Sequence, residues 1–244
     1  MKPILFFLIT ICIGFSACEK SDDETPGKTA APPIAKIKTM TTYSEGKIQE
    51  EYSYEYDASG RLIKQSSSKG YYSTYEYTSD TIRIMTHEPE LNKITPWTLI
   101  LNEQGLVISS VNGNDTREYT PEGYLAKHIY SYDDYAFSYT YKTEEENTTR
   151  RTAREGLDLS KVTIRDIYTF LPNSVNTIGN ENRGITFYGK QDKNLVSEQK
   201  AIIENPYNEY KAYYTYEFDD HNRVTARSIL RSTSEHYTTF TYYD

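Results

Sequence analysis

The chain reads as an all-β protein, an antiparallel meander of hairpins making a long curved sheet or an open or closed barrel of about 12–16 strands. Three observations predict it. In Tyr52-Ser53-Tyr54-Glu55-Tyr56 the rings recur every second residue, and successive strand side chains point to opposite faces, so all three cover one side of a sheet. A turn grammar then repeats: an oxygen acceptor, two free positions, and Gly or Asn. It stands as Asp57-Ala58-Ser59-Gly60, Asn102-Glu103-Gln104-Gly105, Thr120-Pro121-Glu122-Gly123 and Asp219-Asp220-His221-Asn222, with a shortened relative in Ser44-Glu45-Gly46. Such a loop is a type I turn closed by a left-handed residue, and the second residue after it is apolar each time: Leu62, Val107, Leu125 or Val224. Third, 25 Tyr stand against 8 Phe and 1 Trp. Tyrosine must therefore do much of the burial, which favours a long curved sheet or barrel over a compact two-sheet core.

Taken in order, Met1-Lys2-Pro3 precedes an apolar run, Ile4 to Gly14, too short for the ~20 residues of a membrane-spanning helix; residues 1–17 read as a secretory leader. The run ends at Phe15-Ser16-Ala17-Cys18, which resembles the lipobox of bacterial lipoproteins; that resemblance makes Cys18 the lipidated first residue. The other cysteine, Cys12, lies within the leader, so the remaining chain has no disulfide partner. Residues 18–36, acidic and then Pro- and Gly-rich, form a solvated tether. The acidic residues after Cys18 also resemble the surface-export signal of one Gram-negative group, and the expected address is the outer membrane, at its periplasmic face or the cell surface.

A single domain spans 37–244. Its expected strands are Ile37–Tyr43, Lys47–Tyr56, Arg61–Ser67, Tyr71–Thr78, Thr81–Thr86, Trp97–Leu101, Leu106–Val111, Asp115–Tyr119, Tyr124–Ser131 and Tyr135–Lys142. The charged stretch Thr143 to Lys161 reads as a short helix or exposed loop. Val162–Phe170 resumes as strand, Leu171 to Arg183 is irregular, and Ile185–Tyr188, Leu195–Glu204, Glu209–Phe218, Arg223–Leu230 and Glu235–Tyr243 complete the chain.

Tyr54-Glu55-Tyr56-Asp57-Ala58-Ser59-Gly60-Arg61-Leu62 resembles the YD repeat, echoed at Tyr214-Thr215-Tyr216-Glu217-Phe218-Asp219. With Asn112-Gly113-Asn114, Phe187-Tyr188-Gly189-Lys190 and Asn194-Leu195, most of the mature chain is similar to the DUF4595 group, bacterial lipoproteins of unknown function described as porin-like. Thr120 and Asn222 depart from the strict repeat, and none is recognisable between Thr143 and Arg183. The resemblance implies a fold and leaves function open. The residues opposite the tyrosines, Ser53, Glu55, Thr215 and Glu217, are polar, so a barrel held to a membrane by its lipid alone is expected.

Chemistry is sparsely marked. His87, His128, His221 and His236 are scattered without metal-ligand spacing, and no metal or cofactor is expected. Asp133-Asp134, Glu144-Glu145-Glu146 and Asp219-Asp220 are adjacent carboxylates, which in a strand point to opposite faces rather than across a sugar. A net charge of −8 with dispersed Lys and Arg argues against nucleic acid. The feature with functional potential is an aromatic platform of Tyr52, Tyr54, Tyr56, Tyr214 and Tyr216, although a sheet with so few aliphatics needs these same rings for its core, and the core is the favoured reading. The expected function is a non-catalytic, lipid-anchored binding or scaffolding module for a glycan or envelope protein. The alternatives are a carboxylate polysaccharide hydrolase and a structural shell segment.

Overall fold

The computed structural model describes residues 34–111, 113–132, 135–156, 159–204, 206–231 and 234–243. The expected leader, Cys18, the tether as far as residue 33, Asn112 and Asp133-Asp134 lie outside the described residues. The strands are β1 (Ile37–Ser44), β2 (Lys47–Tyr56), β3 (Leu62–Ser67), β4 (Tyr72–Tyr77), β5 (Thr81–Glu88), β6 (Lys93–Leu101), β7 (Val107–Ser110) and β8 (Asp115–Tyr119). They continue as β9 (Leu125–Tyr132), β10 (Tyr135–Glu144), β11 (Asn147–Glu155), β12 (Lys161–Val175), β13 (Asn194–Glu204), β14 (Tyr207–Phe218), β15 (Val224–Arg231) and β16 (Ser234–Tyr242). Each pairs antiparallel with its sequence neighbours, and β16 returns to β1, with Ile37 opposite Tyr242 and Met40 opposite Phe240. The antiparallel meander is present, and it closes into a barrel.

Alternation of direction gathers the loops after even-numbered strands at one rim, the upper, where β1 also begins and β16 ends. All four repeat turns lie there. Gly60, Gly105, Gly123 and Asn222 all adopt positive φ, between 58° and 92°. Asp57 Oδ1 accepts the N–H of Ser59 and of Arg61, each at 2.9 Å, and its Oδ2 accepts from Arg61 Nε at 2.7 Å. Asp219 repeats this with His221 and Arg223, and Asn102 accepts the N–H of Gln104 and Leu106. The acceptor residue thus fixes the turn, and the turn sets where the next strand starts.

Descending strands begin with buried aliphatics: Ile37, Leu62, Ile82, Val107, Leu195 and Val224 stand at or next to the first residue of β1, β3, β5, β7, β13 and β15. Together with Ile185 and Phe187 they fill the upper half of the barrel. Each contributes about 1.5–3 kcal/mol by leaving water.

Register shifts between Glu55/Tyr56, Glu118/Tyr119 and Glu217/Phe218 sit beside these starts, where a bulge leaves ladder groups unpaired. Tyrosines repair the acceptors. Tyr56 Oη donates to the Ile37 carbonyl at 2.7 Å, Tyr77 to Leu62 at 2.7 Å, Tyr119 to Val107 at 2.9 Å and Tyr242 to Val224 at 2.8 Å.

The donors are met by residues 176–193, a long connection between β12 and β13 that plugs the upper rim. Ile37 N–H donates to the Asn182 carbonyl and Leu62 N–H to that of Gly184, both at 3.0 Å, and Val224 N–H donates to Thr177 Oγ1 at 2.9 Å. Both backbone groups of Ile37, Leu62 and Val224 are thereby satisfied, as burial demands. On the far side of the rim Lys190 N–H donates to Gly123 O at 2.9 Å.

Three sequence expectations are corrected. The charged stretch 143–161, read as helix or loop, contains β11; its charge misled because Arg151 faces a polar interior, where Asp166 stands opposite it in register. Leu171 to Arg183, read as irregular, is strand as far as Val175, with register shifts around Phe170 absorbing Pro172. Ile185–Tyr188, read as strand, is a 3-10 turn over Thr186–Tyr188. Gly184 and Gly189, at φ +67° and +90°, bracket it and fold the aromatics inward.

Candidate functional site

Below the plug the interior is open and polar. Registers place Tyr75, Ile84 and Trp97 opposite one another across β4, β5 and β6, on the face that carries the core. Asp115 and Arg117 of β8 face Tyr130 and His128 of β9, which in turn face Phe137 and Tyr139 of β10. These side chains line two adjoining cavities that share Tyr130. One, of about 520 Å³, runs from Ser73, Tyr75 and Trp97 to Asp115, Arg117 and Tyr188; the other, of about 410 Å³, lies among His128, Tyr139, Tyr141 and Arg151. A smaller hollow of about 280 Å³ between Gln104, Pro121, Glu122 and Lys190 lies apart, at the upper rim.

Trp97 is 52 % exposed although its ring belongs to the cavity wall, so a large apolar face stands open to the interior. Around it the polar groups form two ionic clusters. Asp115 lies 2.6 Å from Arg117 Nη1, accepts from Ser110 Oγ at 2.7 Å and has His128 Nε2 at 3.4 Å. Burial opposes its charge, but the Ser110 hydroxyl and Arg117 outweigh burial and hold the carboxyl below its usual range. Burial and then Arg117 push the His128 imidazole down, against the pull of Asp115. Asp166, 1 % exposed, takes a forked pair from Arg151 Nε and Nη2, both at 2.8 Å, and a third bond from Gln199 Nε2 at 2.8 Å. Ser110 and His128 both engage the Asp115 carboxylate rather than each other; a nucleophilic triad needs the base on the hydroxyl.

The five tyrosines of the expected platform all stand on the inner wall. Tyr54 is 1 % exposed, with its hydroxyl against Met40 Sδ. Tyr56 holds the Ile37 carbonyl, Tyr216 donates to Val196 O and Tyr214 to Gln199 Oε1, while Tyr52 Oη lies 3.4 Å from Tyr71 Oη. Burial raises the pKa of Tyr54 and Tyr214, and that of Tyr216 to about 12. Whatever these rings contact beyond the protein would therefore sit inside the barrel.

His128 alone of the four histidines joins the cavities. His87 stacks on Tyr72 on the outer face, with centroids 4.4 Å apart, His221 lies in a repeat turn and His236 faces Ile229. The acidic clusters scatter: Glu144 pairs with Lys142, Glu146 with Lys193 at 2.6 Å, and Asp219 with Arg223. Sequence reasoning missed Trp97, Asp115, Arg117 and Arg151 as lining residues, and Asp166 as the partner of Arg151. For Asp115 and Arg117 the signal was the alternation Asp115-x-Arg117-x-Tyr119, legible only once one knows which face is enclosed.

No family model and no curated protein matches the chain. Solved structures do, among them two porin-like proteins. A porin-like protein from Bacteroides uniformis superposes with a TM-score of 0.60 at 15% identity, covering 86% of this chain and 98% of that one. A porin-like protein from Bacteroides vulgatus gives 0.61 at 12% identity, covering 86% and 99%. The fold is porin-like.

The wall of this porin-like barrel differs from the lipid-facing surface of a membrane barrel, which needs an apolar band about 25 Å tall. Ion pairs bridge neighbouring strands on the outer face: Glu55 with Lys64, Glu76 with Arg83, Glu118 with Lys127, Arg165 with Glu204, Lys200 with Glu209 and Lys211 with Glu198. Exposed pairs of this kind add little to stability. Their importance is where they stand, around the girth from β2 to β14.

Proposed function

We propose that this is a lipid-anchored protein of the cell envelope, allied to the DUF4595 group, whose barrel is a non-catalytic cup for a glycan rather than a pore. The observation that carries the reading is the half-exposed Trp97 on the wall of a 520 Å³ cavity. A sugar presents an apolar face to such a ring and hydroxyls to its surroundings, and a pocket of this kind combines aromatic walls with a few placed polar groups. Ser73, Thr86, Ser110 and Tyr130 supply those groups here. The plug across one rim and the charged outer wall support a cup in water over a channel in lipid. The Ser16-Ala17-Cys18 lipobox supports attachment to the outer membrane, at its periplasmic face or the cell surface.

Trp97 is the chain's one tryptophan, so its fluorescence reports the cup directly. Titrating a panel of envelope oligosaccharides should give a saturable change for at least one. Trp97→Ala, which lacks the reporter and is titrated by calorimetry, should weaken that ligand at least about tenfold, the loss of one good stacking contact, with the circular dichroism of the barrel unchanged. Silence across the panel refutes the glycan reading. Lipidation is checked separately: Cys18→Ala should leave the membrane fraction, and a variant that still partitions as the parent does excludes the anchor.

A further inference from the structure

Of the four arginines that reach the interior, two have their counter-charge and two do not. Arg117 has Asp115 and Arg151 has Asp166. Arg227 on β15 stands opposite Tyr216 and Thr238 on the inner face, its guanidinium 6.0 Å from the Phe240 ring. Arg183 enters from the plug and reaches Tyr54, one of the most deeply buried side chains of the upper core. The Nε–H of Arg183 and that of Arg227 are both buried without a hydrogen-bond partner, and among the described residues neither side chain has an ion-pair partner.

These two cations also sense each other. Burial chiefly pushes the Arg227 guanidinium below its ordinary value; Tyr216 and Tyr214 oppose this, and the positive charge of Arg183 adds a smaller push in the same direction. A guanidinium stays protonated in a protein, so the repulsion cannot be relieved by losing a proton. Holding like charges half-buried without a counter-ion costs a fold stability, and such a defect persists where something else compensates it. The open cavity comes close by: Arg183 acts electrostatically on Tyr75 and Tyr188, both of which line the 520 Å³ space.

We propose that Arg183 and Arg227 form an oxyanion subsite at the floor of the cup, so that its ligand is an acidic glycan bearing a carboxylate, sulfate or phosphate. Guanidinium forks match such groups with paired charge-assisted bonds. The acidic-glycan part rests on the cup reading; the subsite itself does not. The subsite also gives an acidic interior ligand a place in a protein whose net charge of −8 would otherwise repel it.

The test uses the full barrel and three probes: a glucuronate-containing disaccharide, its neutral glucose counterpart, and inorganic phosphate followed by calorimetry. The parent should bind the acidic disaccharide at least about tenfold more tightly than the neutral one, the size of a charged hydrogen bond. Arg227→Met should abolish that preference. Without any probe it should also melt at a higher temperature than the parent, because a half-buried unpaired charge is gone. Arg183→Gln serves as the second variant should Arg227→Met misfold. Equal binding of the two disaccharides, or a preference that survives both substitutions, overturns the subsite and leaves the glycan cup standing. Phosphate binding that depends on Arg227, with neither disaccharide bound, upholds the subsite and removes the glycan.

Discussion

Tyr56, Tyr77, Tyr119 and Tyr242 each turn a hydroxyl to the carbonyl of a residue that opens a descending strand. Removing one such hydroxyl leaves a buried acceptor unpaired, so Tyr77→Phe should cost about 1–2 kcal/mol in denaturant unfolding. Tyr213→Phe, with the ring 46 % exposed, should change nothing measurable. His128 carries a second prediction. Its folded pKa lies below the ordinary 6.5, so the unfolded chain binds its proton first and stability falls as pH drops below 6.5. The penalty stops growing once the folded ring is protonated too. His128→Gln should therefore flatten the stability profile between pH 7 and 5, whatever its cost at neutrality. Alternation revealed that Tyr52, Tyr54 and Tyr56 share a face, but it could not say which face is enclosed. Arg151 and Asp166 hid for a related reason: charge reads as surface until its partner, on the next strand, is known.

At the scale of elements the turns carried the legible part. The acceptor-x-x-Gly grammar specifies local hydrogen bonds within five residues, and Asp57, Asn102 and Asp219 make them as that chemistry requires. The plug was illegible because its partners are distant: Gly184 meets the Gly60 turn and Gly189 the Gly123 turn. A Cβ on Gly184 would lie 2.8 Å from both Gly60 O and Leu62 N, with φ at +67°. Gly184→Ala should thus cost about 2–4 kcal/mol, combining backbone strain with overpacking. Gly70→Ala, in a lower-rim turn with open space around it, bears the strain alone and should cost about 1 kcal/mol. Thermal melts of the two variants would separate the terms, and equal losses would mean that the plug is free to move aside.

Closure belongs to the whole molecule. Hairpin repeats dictate which strands are neighbours but say nothing of whether the first meets the last. Thr39 and Thr241, 202 residues apart, bond through their hydroxyls at 2.7 Å across the seam. Without that seam two edges would lie open along their full length, an invitation to aggregate. A chain ending at Arg231, lacking β16, should accordingly lose its cooperative melt and come out of solution, while the intact chain unfolds in one transition by both far-ultraviolet dichroism and tyrosine absorbance. Truncation that leaves a soluble, cooperatively melting protein would show the seam to be dispensable.

The seam also decides where handles attach. Tyr243 N–H donates to Lys36 O at 2.9 Å, so the two ends of the fold leave side by side from the stoppered end. Anything attached ahead of Lys36 therefore sits at the plugged rim, and the other rim lies at the opposite pole. A reporter fused at either end of the chain should thus leave the opposite rim unobstructed.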